Sequence, residues 1–144
     1  MNIILVGHRA CGRSRIAKIL ANQLWKQLVD AGENDVDRAS GDALPKLLAG
    51  DDQVIALADD VVTDDGRSET IRGAPNCVRI YLMCTAEVLA ERSARDDPPG
   101  EAPDAIAASL DRTAPLYERI ADHVFDVTHL GPTDAVRYLV KQCL

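Results

Sequence analysis

The sequence has no long apolar segment. None of its 144 residues belongs to an apolar run near the roughly 20 residues that cross a bilayer. The first apolar run, Ile3 to Val6, has no basic residue before it and a glycine directly after it, so we expect no signal peptide. We therefore expect a cytoplasmic protein that does not bind membranes.

Positive charge is also scarce. The 16 Lys and Arg residues are outnumbered by 23 Asp and Glu residues, which gives a net charge of −7. Nucleic acids and anionic membranes favour basic surfaces, so this balance argues against nonspecific binding to either. A small neutral or cationic partner, or a nucleotide complexed with Mg²⁺, is compatible with it.

The cysteines lack the paired spacing of a zinc site or a disulfide framework. Cys11, Cys77, Cys84 and Cys143 are widely separated, without a C-x-x-C pair. We interpret Cys77 and Cys84 as buried free thiols at the ends of an apolar run. For Cys11 two interpretations stay open. It is a reactive thiol, because it lies beside a helix N-terminus and Arg13, or a small residue that fits a loop.

Residues 2 to 14 have the pattern of a buried strand that runs into a phosphate-binding loop. In G-x-x-x-x-G-K-[ST], backbone N–H groups surround the phosphates, the lysine reaches the β and γ oxygens, and the hydroxyl holds Mg²⁺. Gly7, Gly12 and Ser14 fit this pattern, but Arg13 stands where the lysine is expected. Arginine keeps the positive charge, although its planar guanidinium differs from a compact ammonium. The sequence therefore predicts an ATP and Mg²⁺ site of unusual chemistry.

Strand-like and helix-like segments alternate along the chain, as in a parallel sheet covered by helices on both faces. We predict strands at Ile3 to Val6, Gln53 to Ala58, Cys77 to Met83 and His123 to Val127. We predict helices over the apolar repeat from Ile16 to Leu28, from about Asp35 to Leu48, from Thr85, from Asp104 to about Ala121, and from Pro132 to Cys143. The acidic pair Asp64 and Asp65 is interpreted as a solvated turn and Trp25 as a packing residue. His8 is interpreted as a solvated side chain of the loop, with contact to phosphate as the alternative.

This order of elements resembles the shikimate kinase family, small P-loop kinases that phosphorylate a hydroxyl of shikimate with MgATP. The resemblance rests on Asn2 to Ser14, Val78 to Leu82, Val88 to Arg92 and Ala114 to Asp122. It implies a single P-loop NTPase domain over residues 1–144, of the nucleoside-monophosphate-kinase type, with a five-stranded parallel sheet and a lid region at about 95–110. It also implies that Ser14 contacts Mg²⁺, that Arg92 contacts adenine, and that residues 128–132 form the adenine loop.

The predicted nucleotide-binding residues combine the loop with these family positions. They are Gly7, Ala10, Cys11, Gly12, Arg13, Ser14, Arg15, Arg92 and Pro132. The predicted metal-holding residues are Ser14 and Asp59, because Asp59 follows a strand where a P-loop sheet carries a metal-binding carboxylate. A solvated acidic turn is the alternative for Asp59.

The substrate positions depart from the family pattern. Asp30-Ala31-Gly32-Glu33 matches the family's two aspartates in either of two registers, and each register loses one carboxylate. The helix whose arginine grips the shikimate carboxylate is missing between Leu48 and Asp51, and Ala58-Asp59-Asp60 replaces a triple glycine. A charged hydrogen bond contributes roughly 1.5 to 3 kcal/mol, so two lost arginine contacts cost on the order of a hundredfold to several thousandfold. We therefore do not expect efficient shikimate phosphorylation.

Two functions remain open from the sequence. The first is an ATP-dependent kinase of a small hydroxylated metabolite other than shikimate. In it Arg13 stabilises the transferred phosphate, Asp30 or Glu33 is the base, and Arg92, Arg95 and Arg112 are lid-side phosphate contacts. The second is a catalytically inactive kinase homologue with a regulatory or partner-binding role. For Arg13 itself, the alternative to a contact with phosphate is a structural ion pair with Asp59.

Overall fold

The computed structural model describes residues 1–31, 43–96 and 99–144, and within these ranges the chain forms five strands and six helices, which alternate except that two helices separate the last two strands. The strands are β1 Asn2–Val6, β2 Gln27–Asp30, β3 Gln53–Ala56, β4 Cys77–Met83 and β5 His123–Asp126. The helices are α1 Arg13–Leu24, α2 Ala43–Leu48, α3 Asp65–Gly73, α4 Ala86–Ala94, α5 Pro103–Ile120 and α6 Pro132–Cys143. A short 3₁₀ helix, Val61–Thr63, follows β3.

All strands pair in parallel in one sheet of order β2-β3-β1-β4-β5. Strand β1 lies at the centre, and all of its residues are buried. A strand covered by helices on both faces reads as a continuous apolar run, which is why its sequence showed no alternation. The predicted five-stranded parallel α/β sheet is confirmed.

The two faces of the sheet carry separate hydrophobic cores. Successive side chains of a strand point to opposite faces, so Ile3 and Leu5 enter one core and Ile4 and Val6 enter the other. The first core includes residues of α1 and α6, and the second includes residues of α2, α3 and the end of α5. The phosphate loop leaves β1 at its carboxyl end, between these two layers.

The predicted first helix extends too far. Helix α1 ends at Leu24 because Trp25 adopts the left-handed conformation, with φ 57°, and its N–H caps the carbonyls of Ala21 and Asn22. Leu28, which we assigned to the helical repeat, lies instead in β2 and is 38% exposed. The interpretation of Trp25 as a packing residue is also wrong, since it is 90% exposed.

Helix α3 was missed by the sequence analysis. Asp64, assigned to a solvated turn, is its N-cap, and Asp64 Oδ1 accepts the N–H of Arg67 at 2.8 Å. Of the α3 residues only Ile71 is buried, so the helix carries no apolar periodicity. The predicted cap of α4 is present, because the Thr85 hydroxyl accepts the N–H of Val88.

Strand β3 ends at Ala56 and β5 at Asp126, each shorter than predicted. Helix α2 covers the end of the helix predicted from Asp35, whose earlier residues lie outside the described part of the chain. Within the described ranges, no helix is long and apolar enough to cross a membrane.

Candidate nucleotide site

The loop between β1 and α1 has a backbone that only certain residues allow. A Cβ atom on Gly7 would lie 2.9 Å from both Cys11 Sγ and the carbonyl oxygen of Leu82. Gly12 has φ 90°, a left-handed conformation that glycine adopts without steric cost. The two glycines of the motif are therefore dictated by close packing at the start of the loop and by backbone conformation at its end.

The N-terminus of α1 supplies hydrogen-bond donors that the helix itself does not use. The first bond of the helical pattern joins the N–H of Ile16 to the carbonyl of Gly12 at 3.0 Å, so the N–H groups of residues 13–15 precede it. The N–H of Cys11 is directed inward and donates to the His8 carbonyl at 3.1 Å. Unused N–H groups and the positive end of the helix dipole together favour an anion.

The loop lines an open cavity of about 740 Å³. The lining residues are His8, Arg9, Ala10, Cys11, Gly12, Arg13, Ser14, Arg15, Ile16, Asp59, Arg92, Arg95, Asp96, Leu130, Gly131 and Pro132. Five of these are arginines and two are aspartates, so the cavity is cationic in a chain whose net charge is −7. Such a concentration of positive charge suits a polyphosphate.

Arg13 folds back across its own loop. Its Nη1 donates to the Gly7 carbonyl, while its Nε is buried and has no hydrogen-bond partner in the described part of the chain. The sequence left open an ion pair with Asp59, but no such pair forms among the described residues. The partner of Arg13 is instead a neutral carbonyl at the other end of the loop.

Arg92 joins the phosphate loop to the segment after β5. Its Nη1 donates to the Cys11 carbonyl at 3.1 Å and its Nη2 to the Val127 carbonyl at 3.3 Å. Leu130, Gly131 and Pro132, in the segment predicted as the adenine loop, line the same cavity. The structure therefore brings Arg92 and Pro132 together with the loop residues predicted to bind nucleotide.

Tyr117 fixes the backbone at Asp59. Its hydroxyl donates to the Asp59 carbonyl at 2.5 Å, and its ring stacks on that of Tyr81 with centroids 5.0 Å apart. Burial raises the pKa of the Tyr117 hydroxyl well above its ordinary value, so it stays protonated and remains a donor. Sequence reasoning missed this role, although Tyr117 belongs to the segment that carries the family resemblance most specifically.

The two predicted Mg²⁺ ligands, Ser14 and Asp59, line one cavity. No group of three or more His, Cys, Asp and Glu side chains within the described ranges could hold a metal ion by itself. Mg²⁺ commonly keeps several waters and binds one or two protein oxygens together with substrate phosphates. A hydroxyl and a carboxylate beside an anion site fit that requirement.

The structure bears on the interpretation of two loop side chains, Cys11 and His8. Cys11 is buried, and burial raises the pKa of its thiol although the charge of Arg13 lowers it in part, which argues against the interpretation as a reactive thiol. His8 is only 6% exposed rather than solvated, and its Nδ1 lies 2.8 Å from the Arg9 carbonyl oxygen. Of the two cysteines predicted as buried, Cys84 is buried and Cys77 is partly exposed.

Most of the residues predicted to act on the acceptor substrate do not line the cavity or lie outside the described residues. Asp30 ends β2 beside Ala56 and does not line the cavity, and Glu33 lies outside the described residues. Residues 49–52 join α2 directly to β3, so this connection contains no helix with a substrate-binding arginine. Arg112 is exposed on α5 and also does not line the cavity, whereas Arg95 does.

The parallel sheet and the loop at the end of its central strand define a P-loop kinase fold. A family model described as shikimate kinase matches residues 31–144, and the chain therefore belongs to the shikimate kinase family. The matched range begins after β2, so the loop that contains Arg13 lies outside it.

Individual relatives agree with this assignment. The chain is 26% identical to shikimate kinase of Pseudomonas aeruginosa (strain LESB58) over 170 residues, which cover 99% of this chain and 95% of the relative. Because that alignment is longer than the 144 residues of this chain, the relative has residues with no counterpart here.

Solved structures show the same fold. Shikimate kinase from Acinetobacter baumannii in complex with shikimate has a TM-score of 0.81 at 19% identity, and the match covers 97% of this chain and 90% of that chain. A gluconokinase from Sinorhizobium meliloti 1021 has a TM-score of 0.69 at 17% identity, with 99% and 93% covered. At these identities the similarity concerns the fold alone.

Proposed function

We propose that this protein binds MgATP in the loop after β1 and transfers the γ-phosphate to a hydroxyl of a small metabolite other than shikimate. The observation that carries the proposal is the cationic cavity of about 740 Å³, in which the unused N–H groups of α1 meet five arginines, Ser14 and Asp59. Phosphoryl transfer depends mainly on positioning and on neutralising charge. These residues serve both needs.

Each group has a defined task in this proposal. The N–H groups of residues 13–15 hold phosphate oxygens, and Arg92 keeps the loop against the base-binding segment through its two carbonyl contacts. Ser14 and Asp59 would hold Mg²⁺, which neutralises phosphate charge when it is bound. Asp30 or Glu33 would take the proton of the acceptor hydroxyl.

The acceptor is proposed to lack the carboxylate of shikimate. The short connection between α2 and β3 has no substrate arginine, and Asp59 adds negative charge to the cavity. Without that arginine a carboxylate lacks its charged hydrogen-bond partner, whereas a neutral hydroxyl compound needs none.

A second function is favoured by one observation. Arg13 is bonded to the Gly7 carbonyl inside its own loop, where it competes with a bound phosphate for the same space. An inactive kinase homologue with a regulatory or partner-binding role would retain the fold with Arg13 bonded to the Gly7 carbonyl. The two functions differ in whether MgATP binds and is consumed.

Thermal melting with and without MgATP tests the proposal first. A ligand at 100 times its dissociation constant adds about 2.7 kcal/mol to stability, which is easily seen as a rise in Tm. A chain that shows no rise at millimolar MgATP is not a kinase. If Tm rises, ADP release should be measured with neutral polyols, amino alcohols and shikimate as acceptors. Rapid turnover on shikimate would refute the proposed acceptor class.

A further inference from the structure

The side chain of Arg13 already occupies part of the phosphate loop. It starts at the first residue of α1 and ends at the carbonyl of Gly7, directly after β1. The guanidinium therefore lies between the two ends of the loop. In the lysine form of this motif, the side chain at this position meets the β- and γ-phosphates.

The backbone of the cavity is fixed at Asp59. Asp59 lines the same cavity as Arg13. Its carbonyl accepts the hydroxyl of Tyr117, a fully buried residue whose ring stacks on that of Tyr81. A phosphate that enters the loop must share the space near Gly7 with the guanidinium or displace it into the cavity.

The position of the Arg13 guanidinium affects the two ends of a bound polyphosphate chain differently. The N–H groups of residues 13–15 hold a phosphate at the helix N-terminus whatever the side chain of residue 13 does. A third phosphate needs the space toward Gly7, which the guanidinium fills. Arginine is also bulkier than lysine, so its planar guanidinium takes up more of that space than an ammonium would.

We propose that Arg13 makes this loop select a nucleoside diphosphate over a nucleoside triphosphate. The inference rests on the proposed nucleotide site and concerns its preference for phosphate chain length. When the guanidinium turns from Gly7 to a terminal β-phosphate, its forked N–H groups can bind two oxygens and the unpartnered Nε gains an acceptor. In a kinase this preference makes release of the diphosphate product slow relative to chemistry.

Calorimetric titration of the full chain tests this inference. The ligands are MgADP and a non-hydrolysable MgATP analogue, and the proteins are the native chain, Arg13→Lys and the exposed surface control Arg137→Lys. We expect the native chain to bind MgADP about tenfold more tightly than the analogue, and Arg13→Lys to reduce or reverse that ratio by a similar factor. Arg137→Lys should keep the native ratio.

Two results would overturn the inference alone: equal or tighter binding of the triphosphate analogue by the native chain, or an unchanged ratio in Arg13→Lys. Absence of binding of either nucleotide would overturn the proposed function as well, and this result is distinct from a wrong ratio. Melting without ligand shows whether Arg13→Lys is folded. If it is not, Arg13→Met removes the guanidinium at similar length and should also shift the ratio toward the triphosphate.

Discussion

Replacing Gly7 with alanine should destabilise the protein and close the phosphate loop. The new Cβ would lie 2.9 Å from Cys11 Sγ and 2.9 Å from the Leu82 carbonyl oxygen, well inside ordinary contact distance. Both neighbours are buried, and the Leu82 oxygen belongs to the backbone of β4, so neither can move aside cheaply. Overpacking of this kind costs about 1 to 3 kcal/mol. We expect the upper part of that range.

The assay is urea unfolding together with thermal melting. A loss of about 2 to 3 kcal/mol in a chain of this size lowers Tm on the order of 5 to 10 °C. The rise in Tm on adding MgATP should also shrink, because the loop backbone must shift away from the β1 end. A second change, Cys11→Ala, removes one of the two clashes and should recover part of the loss in Gly7→Ala.

Gly73→Ala is the matched control. Gly73 is exposed in the last turn of α3, and a Cβ atom there meets nothing within 4 Å. Alanine is favoured over glycine in a helix by up to about 1 kcal/mol, so this variant should be neutral or slightly stabilised. The reasoning is refuted if the two alanine variants have equal stability, or if Cys11→Ala gives no recovery beyond its own effect in the native chain.

Three further outcomes are expected. Arg79→Met should cost about 3 kcal/mol in urea unfolding, because buried Arg79 donates to two carbonyls and to a carboxylate, whereas the exposed Arg137→Met should cost less than about 0.5 kcal/mol. Tyr117→Phe leaves the Asp59 carbonyl without its donor. It should cost about 1 to 2 kcal/mol and weaken MgATP binding more than binding of metal-free ATP, as calorimetry can show. Burial raises the pKa of the Cys11 thiol above 9.0, so unfolded thiol ionises first and stability falls as pH rises past about 9. Urea curves at pH 8 and 10 should show a smaller fall in Cys11→Ala, and an equal fall would contradict the burial argument.

Strands that are buried on both faces of the sheet could be predicted from the sequence. The sequences of β1 and β4 are mainly apolar because helices cover both faces of the sheet. The start of α4 was predictable because Thr85 is a residue type that caps helix N-termini. Strand β2 was missed because it lies at the edge of the sheet, where Gln27 and Leu28 stay exposed. Its residues therefore merged with the helical spacing of the preceding segment.

Some features of the candidate site could likewise be predicted from the sequence, and others could not. The motif spacing predicted the loop, and the resemblance to the shikimate kinase family implied that Arg92 and Pro132 would meet it. The partner of Arg13 could not be predicted, because an ion pair and a backbone contact are equally compatible with one arginine in a sequence. The Tyr117 bond to Asp59 joins residues separated by 58 positions, which no local pattern encodes.

The sequence by itself determined the alternation of strands and helices, the glycines of the loop and the presence of arginine at the lysine position. Those properties depend on periodicity and on backbone conformation, which act over a few residues. Only the tertiary structure decided that Arg13 turns back to Gly7, that His8 and Cys11 are buried, and that the Tyr117 hydroxyl donates to the Asp59 carbonyl. These outcomes depend on which distant groups share a buried space, because burial and packing select a partner only after the sheet and helices have come together.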